Sequence, residues 1–334
     1  MKRGWRGLLA DYGVLVALVL LFAINVFTRG ESFLQAENLR NLVSQNAYVG
    51  IIAVGMTFVI MTAGIDLSVG SMLAFCGAVA VLVLNRQDAG GAAAGTAVLF
   101  AVLASMAVGA ASGFANGVAI AFGRVAPFIV TLAGLAAFRS LALVLGKGGE
   151  IRSQVSEFQD FGFGGVPLPF LTNQAGQPIV LYWSLLIFLG VALLASFLLN
   201  RTPFGRYMIA VGANERAARY SAIDTKTIKL WTYTFLGALV GLAAVLNAAR
   251  MNSVGTGSVG LYYELDAIAA VVIGGTSLRG GKGRIWGTVV GVILLTLIAN
   301  MMTAYRIDTN WQGLVRGAVI LIAVLLQRGS KEND

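Results

Sequence analysis

The sequence predicts an all-α integral membrane protein of about ten transmembrane helices, and three observations carry that expectation. Of the 334 residues, 57% are hydrophobic and 12% charged, with a mean hydropathy of +0.81. That balance lies far from a soluble domain. Charge-free apolar runs near the roughly 20 residues needed to cross hydrocarbon recur along the chain. Lys and Arg collect in alternate connecting segments, so the net charge of +9 reflects membrane orientation rather than nucleic-acid binding. Residues 1–334 read as one transmembrane domain.

The basic N-terminus followed by Tyr12 to Thr28 resembles a signal peptide, but no small-x-small site follows, and an uncleaved first helix is expected. Further spans fall near Tyr48–Gly64, Leu67–Leu84, Gly95–Ala121, Pro127–Gly146, Ile179–Leu199, Leu230–Ala249, Leu265–Ser277, Ile285–Ala304 and Trp311–Gln327. The stretch around 265–278 is too short to cross alone and predicts a broken or half-length helix. With both termini cytoplasmic, the inner segments hold fifteen Lys or Arg and the outer ones seven, in keeping with the positive-inside rule. Arg139 and Arg316 fall within spans, where each can snorkel or face the bundle. The external segment 147–178, with three prolines and a Gly-rich FGFGG, reads as a structured loop or partial re-entrant turn able to meet an external partner, or as a plain connector.

The absence of His excludes imidazole metal sites, Ser-His or Cys-His nucleophiles and histidine relays. No catalytic or metal residues are assigned. The single Cys76 sits in an apolar run and cannot form an intrachain disulfide. The glycine-rich Gly274 to Gly283 is no phosphate loop, because Lys282 is followed by Gly283 rather than by Ser or Thr. A tight turn and close helix packing explain it better, as they do the small residues Gly109, Ala111, Ser112, Gly113 and Gly117.

Between two apolar spans, the loop 201–229 carries six Lys or Arg against Glu215 and Asp224. Asn214 is a good N-cap, Glu215 stands where the helix dipole favours an anion, and Arg219 lies one turn on. A short cytoplasmic helix near 214–221 is therefore expected, with Ala217 and Ala218 offering a small-residue face to a partner. Elsewhere, Asp66 and Ser68 interrupt apolar runs. Asp66 reads either as an N-cap of the next helix or as a carboxylate on a transport path, and Glu264 and Asp266 as interfacial caps or path residues. Asn46, Asn116 and Thr131 are further polar wall positions.

Four segments, in this order, resemble the permeases of ribose-type ATP-binding cassette importers: GMTFVIMTAGIDLSVGSMLA, RVAPFIVTLAG, FGRYMIAVGANERAARYSAI and YELDAIAAVVIGGTSLRGGKGRIWGT. The resemblance extends from about Asn38 to Leu326. It implies a transport subunit without its own ATP site. It further implies a cytoplasmic ATPase that binds ATP and Mg, an extracytoplasmic sugar-binding protein and a second permease subunit, all at the bacterial cytoplasmic membrane. The stretch containing Gly205, Arg206, Gly212, Asn214, Glu215, Ala217, Ala218, Arg219 and Ser221 then corresponds to the helix that engages the ATPase. One departure is Ala222, where the family usually has Gly; a positive φ there would strain an alanine. An ion-coupled secondary transporter, with Asp66, Glu264 or Asp266 as the ion-linked carboxylates, is the alternative from residues alone, but it does not require the capped cytoplasmic helix.

Overall fold

A helix that is apolar on every side must be enclosed by other helices or by lipid, and both outcomes occur in the computed structural model. The structure describes residues 5–308 except 174 and 175, together with scattered positions between 311 and 321. The helices run in the order α1 (Trp5–Arg29), α2 (Glu31–Leu34), α3 (Ala36–Ser44), α4 (Ala47–Met61), α5 (Val69–Ala89), α6 (Ala94–Ala121) and α7 (Pro127–Leu145). Then follow β1 (Glu150–Arg152), α8 (Glu157–Phe163), β2 (Gly165–Thr172), β3 (Pro178–Tyr182) and α9 (Trp183–Arg201). The chain continues through α10 (Pro203–Ala213), α11 (Glu215–Tyr220), α12 (Thr225–Met251), β4 (Ser253–Gly255), α13 (Tyr263–Ile273) and α14 (Ile285–Ala304).

The protein is an α-helical membrane protein. Six described helices, α5, α6, α7, α9, α12 and α14, are long and apolar enough to cross a bilayer, and α3 with α4 makes a seventh span bent by 44°. The expected ten are therefore not all seen as whole spans, and the stretch Trp311 to Gln327 lies largely outside the described residues. One expectation needs correction. The span expected from Ile179 begins only at Trp183, because residues 178–182 pair with β2 as an antiparallel hairpin. The segment 147–178 is structured, as expected, rather than a plain connector: β1 pairs with β4, and α8 packs against α12 so closely that Gly162 abuts the Ala249 backbone.

Helix α4 is buried along nearly its whole length and forms the centre. Its neighbour α12 meets α6 along a seam of small residues. Gly109, Gly113, Gly237 and Gly241 have no room for a Cβ, since each would strike a carbonyl oxygen of the facing helix. The Ser105 hydroxyl closes the seam by donating to the Gly241 carbonyl at 2.8 Å. This is the close backbone approach that small residues permit in membranes. By contrast α7 exposes Phe128, Ile129, Leu132, Leu141 and Val144, a face suited to lipid.

The half-length helix is α13, with bounds 263–273. The stretch between β4 and α13 is non-helical and bears left-handed φ at Gly260 (77°) and Tyr262 (67°). Arg139, from the middle of α7, donates to the carbonyls of Thr256 and Val259 at 2.9 Å each. That supplies the donors an irregular backbone needs at membrane depth. Arg139 therefore faces the bundle.

Candidate functional site

Two polar assemblies gather the residues singled out in the sequence. The first lies at the break between α4 and α5. Asp66 is fully enclosed. Its Oδ1 accepts from the Ser68 amide at 2.8 Å and the Ser68 hydroxyl at 2.6 Å, and its Oδ2 from Asn116 Nδ2 of α6 at 3.5 Å. Asn116 also donates to the Ser68 hydroxyl at 3.0 Å. Thr131 of α7 and Tyr233 of α12 approach the Ile65 carbonyl at 3.5 and 3.4 Å. Asp66 does not itself cap α5; Ser68 occupies the N-cap position and Asp66 holds the turn before it.

Thus Asp66, Ser68, Asn116 and Thr131 come together. Glu264, in the first turn of α13, borders this knot through Gly70, whose missing Cβ would lie 2.7 Å from Glu264 Oε2. Asp266 does not join it. It faces the opposite side, lining a small cavity with Asn46 and Thr296.

The second assembly is the ledge formed by α10 and α11. Thr202 followed by Pro203 starts α10, the Thr202 hydroxyl accepting from the Gly205 amide at 3.4 Å. Asn214 then caps α11, its side-chain oxygen accepting from the Ala217 amide at 3.0 Å. Glu215 pairs with Arg219 at 3.2 Å and with Lys229 of α12 at 2.6 Å. Burial pushes the Glu215 carboxyl up, but the Lys229 hydrogen bond and charge, with Thr225 and Arg219, outweigh it and hold the group below its ordinary range. Ala222 has φ 60°, the left-handed backbone that disfavours a side chain.

The ledge has an inner and an outer side. Gly205 and Gly212 are buried, Gly205 against the Leu199 carbonyl and Gly212 against that of Met61. Ala218 is only 4% exposed and belongs to the main core. This corrects the expectation that both alanines face a partner, because the α-helical turn carries residue 218 inward while 217 points out. The outward set is Arg206, Asn214, Arg216, Ala217, Arg219 and Ser221. Tyr220, which the sequence reading passed over, is 92% exposed at its edge. An aromatic next to two arginines on a polar loop was the signal available for it.

Residues 38–324 match the family of branched-chain amino acid transport system permease components. The chain is 41% identical over 313 residues to the ribose import permease protein of Escherichia coli strain K12, covering 93% of this chain and 92% of that protein. It is 40% identical over 328 residues to the ribose import permease protein of Bacillus subtilis strain 168, covering 96% and 94%. To the xylose transport system permease protein of Escherichia coli strain K12 it is 30% identical over 384 residues, covering 99% and 96%. No solved structure gave a significant match. The chain belongs to this permease family and to its ribose-type branch of ATP-binding cassette importers. It is a multi-pass transport subunit, the permease component of an import system, a role that implies an ATPase and a binding protein as partners.

Proposed function

We propose that this permease carries a pentose inward across the bacterial cytoplasmic membrane, driven by an ATPase seated on the outer side of α11. The ribose and xylose permeases among its relatives support the pentose. The observation that carries the coupling reading is the ledge itself. Its inner side is fastened to the core by Gly205, Gly212 and Ala218, while Arg216, Ala217, Arg219 and Tyr220 point away from the protein. Tyr and Arg beside a small residue make an apt protein-docking surface.

Ten spans with both termini and the ledge in the cytoplasm fit the fifteen-to-seven distribution of basic residues. ATP and Mg belong on the partner ATPase, and the sugar path forms with a second permease subunit. Asp66 is enclosed and bonded on both oxygens, which favours packing over the binding of a driving ion. The test is uptake of labelled D-ribose and D-xylose into proteoliposomes holding the permease, its ATPase and its binding protein. The expected result is uptake that requires ATP. Uptake that follows a proton or sodium gradient without the ATPase would overturn the reading.

A further inference from the structure

Three elements meet behind the ledge backbone to backbone, with only the methyls of Ala63 and Ala213 beside the contact. Gly212, near the end of α10, lies against the Met61 carbonyl at the end of α4, and its missing Cβ would be 2.6 Å from the Gly281 amide nitrogen. That Gly281 amide donates to the same Met61 carbonyl at 2.9 Å. Gly280 closes the contact, its absent Cβ 2.7 Å from the Gly212 carbonyl oxygen and 3.0 Å from the Ala63 amide nitrogen. Gly280 (φ 83°) and Gly281 (φ 72°) adopt left-handed backbone that brings the 274–284 loop into this position. The loop is held in shape by the Ser277 amide donating to the Lys282 carbonyl at 2.9 Å.

We propose that Gly212 and Gly281 are positioning residues for coupling. Through them, movement of the α10–α11 ledge enters the membrane domain at two places at once. One is the end of α4, five residues before Asp66. The other is the loop joining the half-helix α13 to α14. Backbone against backbone transmits displacement better than long side chains, which can change rotamer and absorb it, and close-packed interfaces shift between discrete arrangements. Ring contacts brace the same route, with Phe204 of α10 stacked on Phe58 of α4 at 6.5 Å and Phe58 edge-on to Phe235 of α12 at 5.1 Å. Both places to which the route leads are departures from regular spanning helix, where backbone can rearrange at least cost.

This inference rests on the ledge being the ATPase seat, and the experiment separates the two. Permease variants are co-purified with the ATPase, reconstituted with the binding protein, and assayed for the ratio of D-ribose-stimulated to unstimulated ATP hydrolysis. Gly212→Ala places a methyl on the Met61 carbonyl. It is expected to keep the ATPase bound while lowering the stimulation ratio about tenfold. Gly283→Ala is the milder probe, its methyl meeting Met61 Sδ and Thr276 Oγ1 at 2.8 Å, and it decides the matter if Gly212→Ala does not assemble; the same direction is expected.

Gly275→Ala is the control. Its methyl meets nothing within 4 Å, and its left-handed φ of 87° makes it the more strained backbone, since Gly212 and Gly283 lie outside that region. An unchanged ratio in an assembled Gly212→Ala or Gly283→Ala variant would overturn the inference, and so would an equal loss in Gly275→Ala. If instead the outward ledge residues prove irrelevant to ATPase binding, it is the coupling reading that fails.

Discussion

The knot around Asp66 and the ledge of α10 and α11 are both polar, yet one is closed and the other open. Every oxygen of Asp66 is matched by a donor from the same chain, and nothing reaches it from outside. On the ledge, Asn214 and Glu215 are satisfied internally, while Arg216, Arg219 and Tyr220 stand in solvent. A charge at membrane depth marks a functional candidate by default, but here the deeper carboxylate has the features of a packing element. The shallower, locally ordinary helix is the one with donors and an aromatic ring left over for another molecule.

The sharpest way to break this contrast is Asp66→Ala, which would leave the Ser68 amide and the Ser68 hydroxyl proton without their acceptor. Each buried group left unmet costs about 1–3 kcal/mol. Most folded permease should disappear from detergent extracts, with a clearly lower thermal midpoint in what survives. Asp66→Asn, which keeps one acceptor, should be milder. A stable Asp66→Ala permease with altered sugar preference would instead put Asp66 on the path.

A much smaller effect is expected at Glu215. Its carboxyl is held below the ordinary range, so the stability it contributes is present above that range and is lost as pH falls through the lowered value. Hydrogen exchange of the α11 amides should be insensitive to ionisation of this group between about pH 6 and about pH 8, and protection should fall only in acid. Being half-exposed, the pair with Lys229 is worth about 0–1 kcal/mol. In Glu215→Gln the acid-dependent part should vanish. A full loss of protection near neutral pH would show that some other group holds the ledge.

Local chemistry was legible in the sequence, and orientation toward neighbours was not. The Asn214 cap, the Glu215–Arg219 pair and the short α13 follow from spacing within one or two turns, and the structure has all three. The strain at Ala222 came instead from the resemblance, whose members usually carry Gly at that position, and the structure gives it the positive φ. Which side of α11 faces the core depends on how it packs against α10 and α12, which spacing within the helix does not show, so Ala218 was misplaced. The β2–β3 hairpin escaped notice because Pro178 to Tyr182 continues without a polar break into α9, and hydropathy does not separate strand from helix in so short a run. Helix α10 carried a readable start in Thr202 and Pro203. The bend between α3 and α4 is a tertiary outcome and carried no such mark.

The central claim is that the outer side of α11 seats the ATPase, and co-purification of the ATPase with correctly inserted permease variants tests it most directly. Ala217→Trp overfills a packed contact at a cost of about 1–3 kcal/mol, whereas Arg219→Ala removes an exposed charge worth about 0–1 kcal/mol. The account predicts that Ala217→Trp releases the ATPase and abolishes sugar-stimulated hydrolysis while Arg219→Ala weakens both only slightly. Full ATPase binding and full stimulation in Ala217→Trp would contradict it.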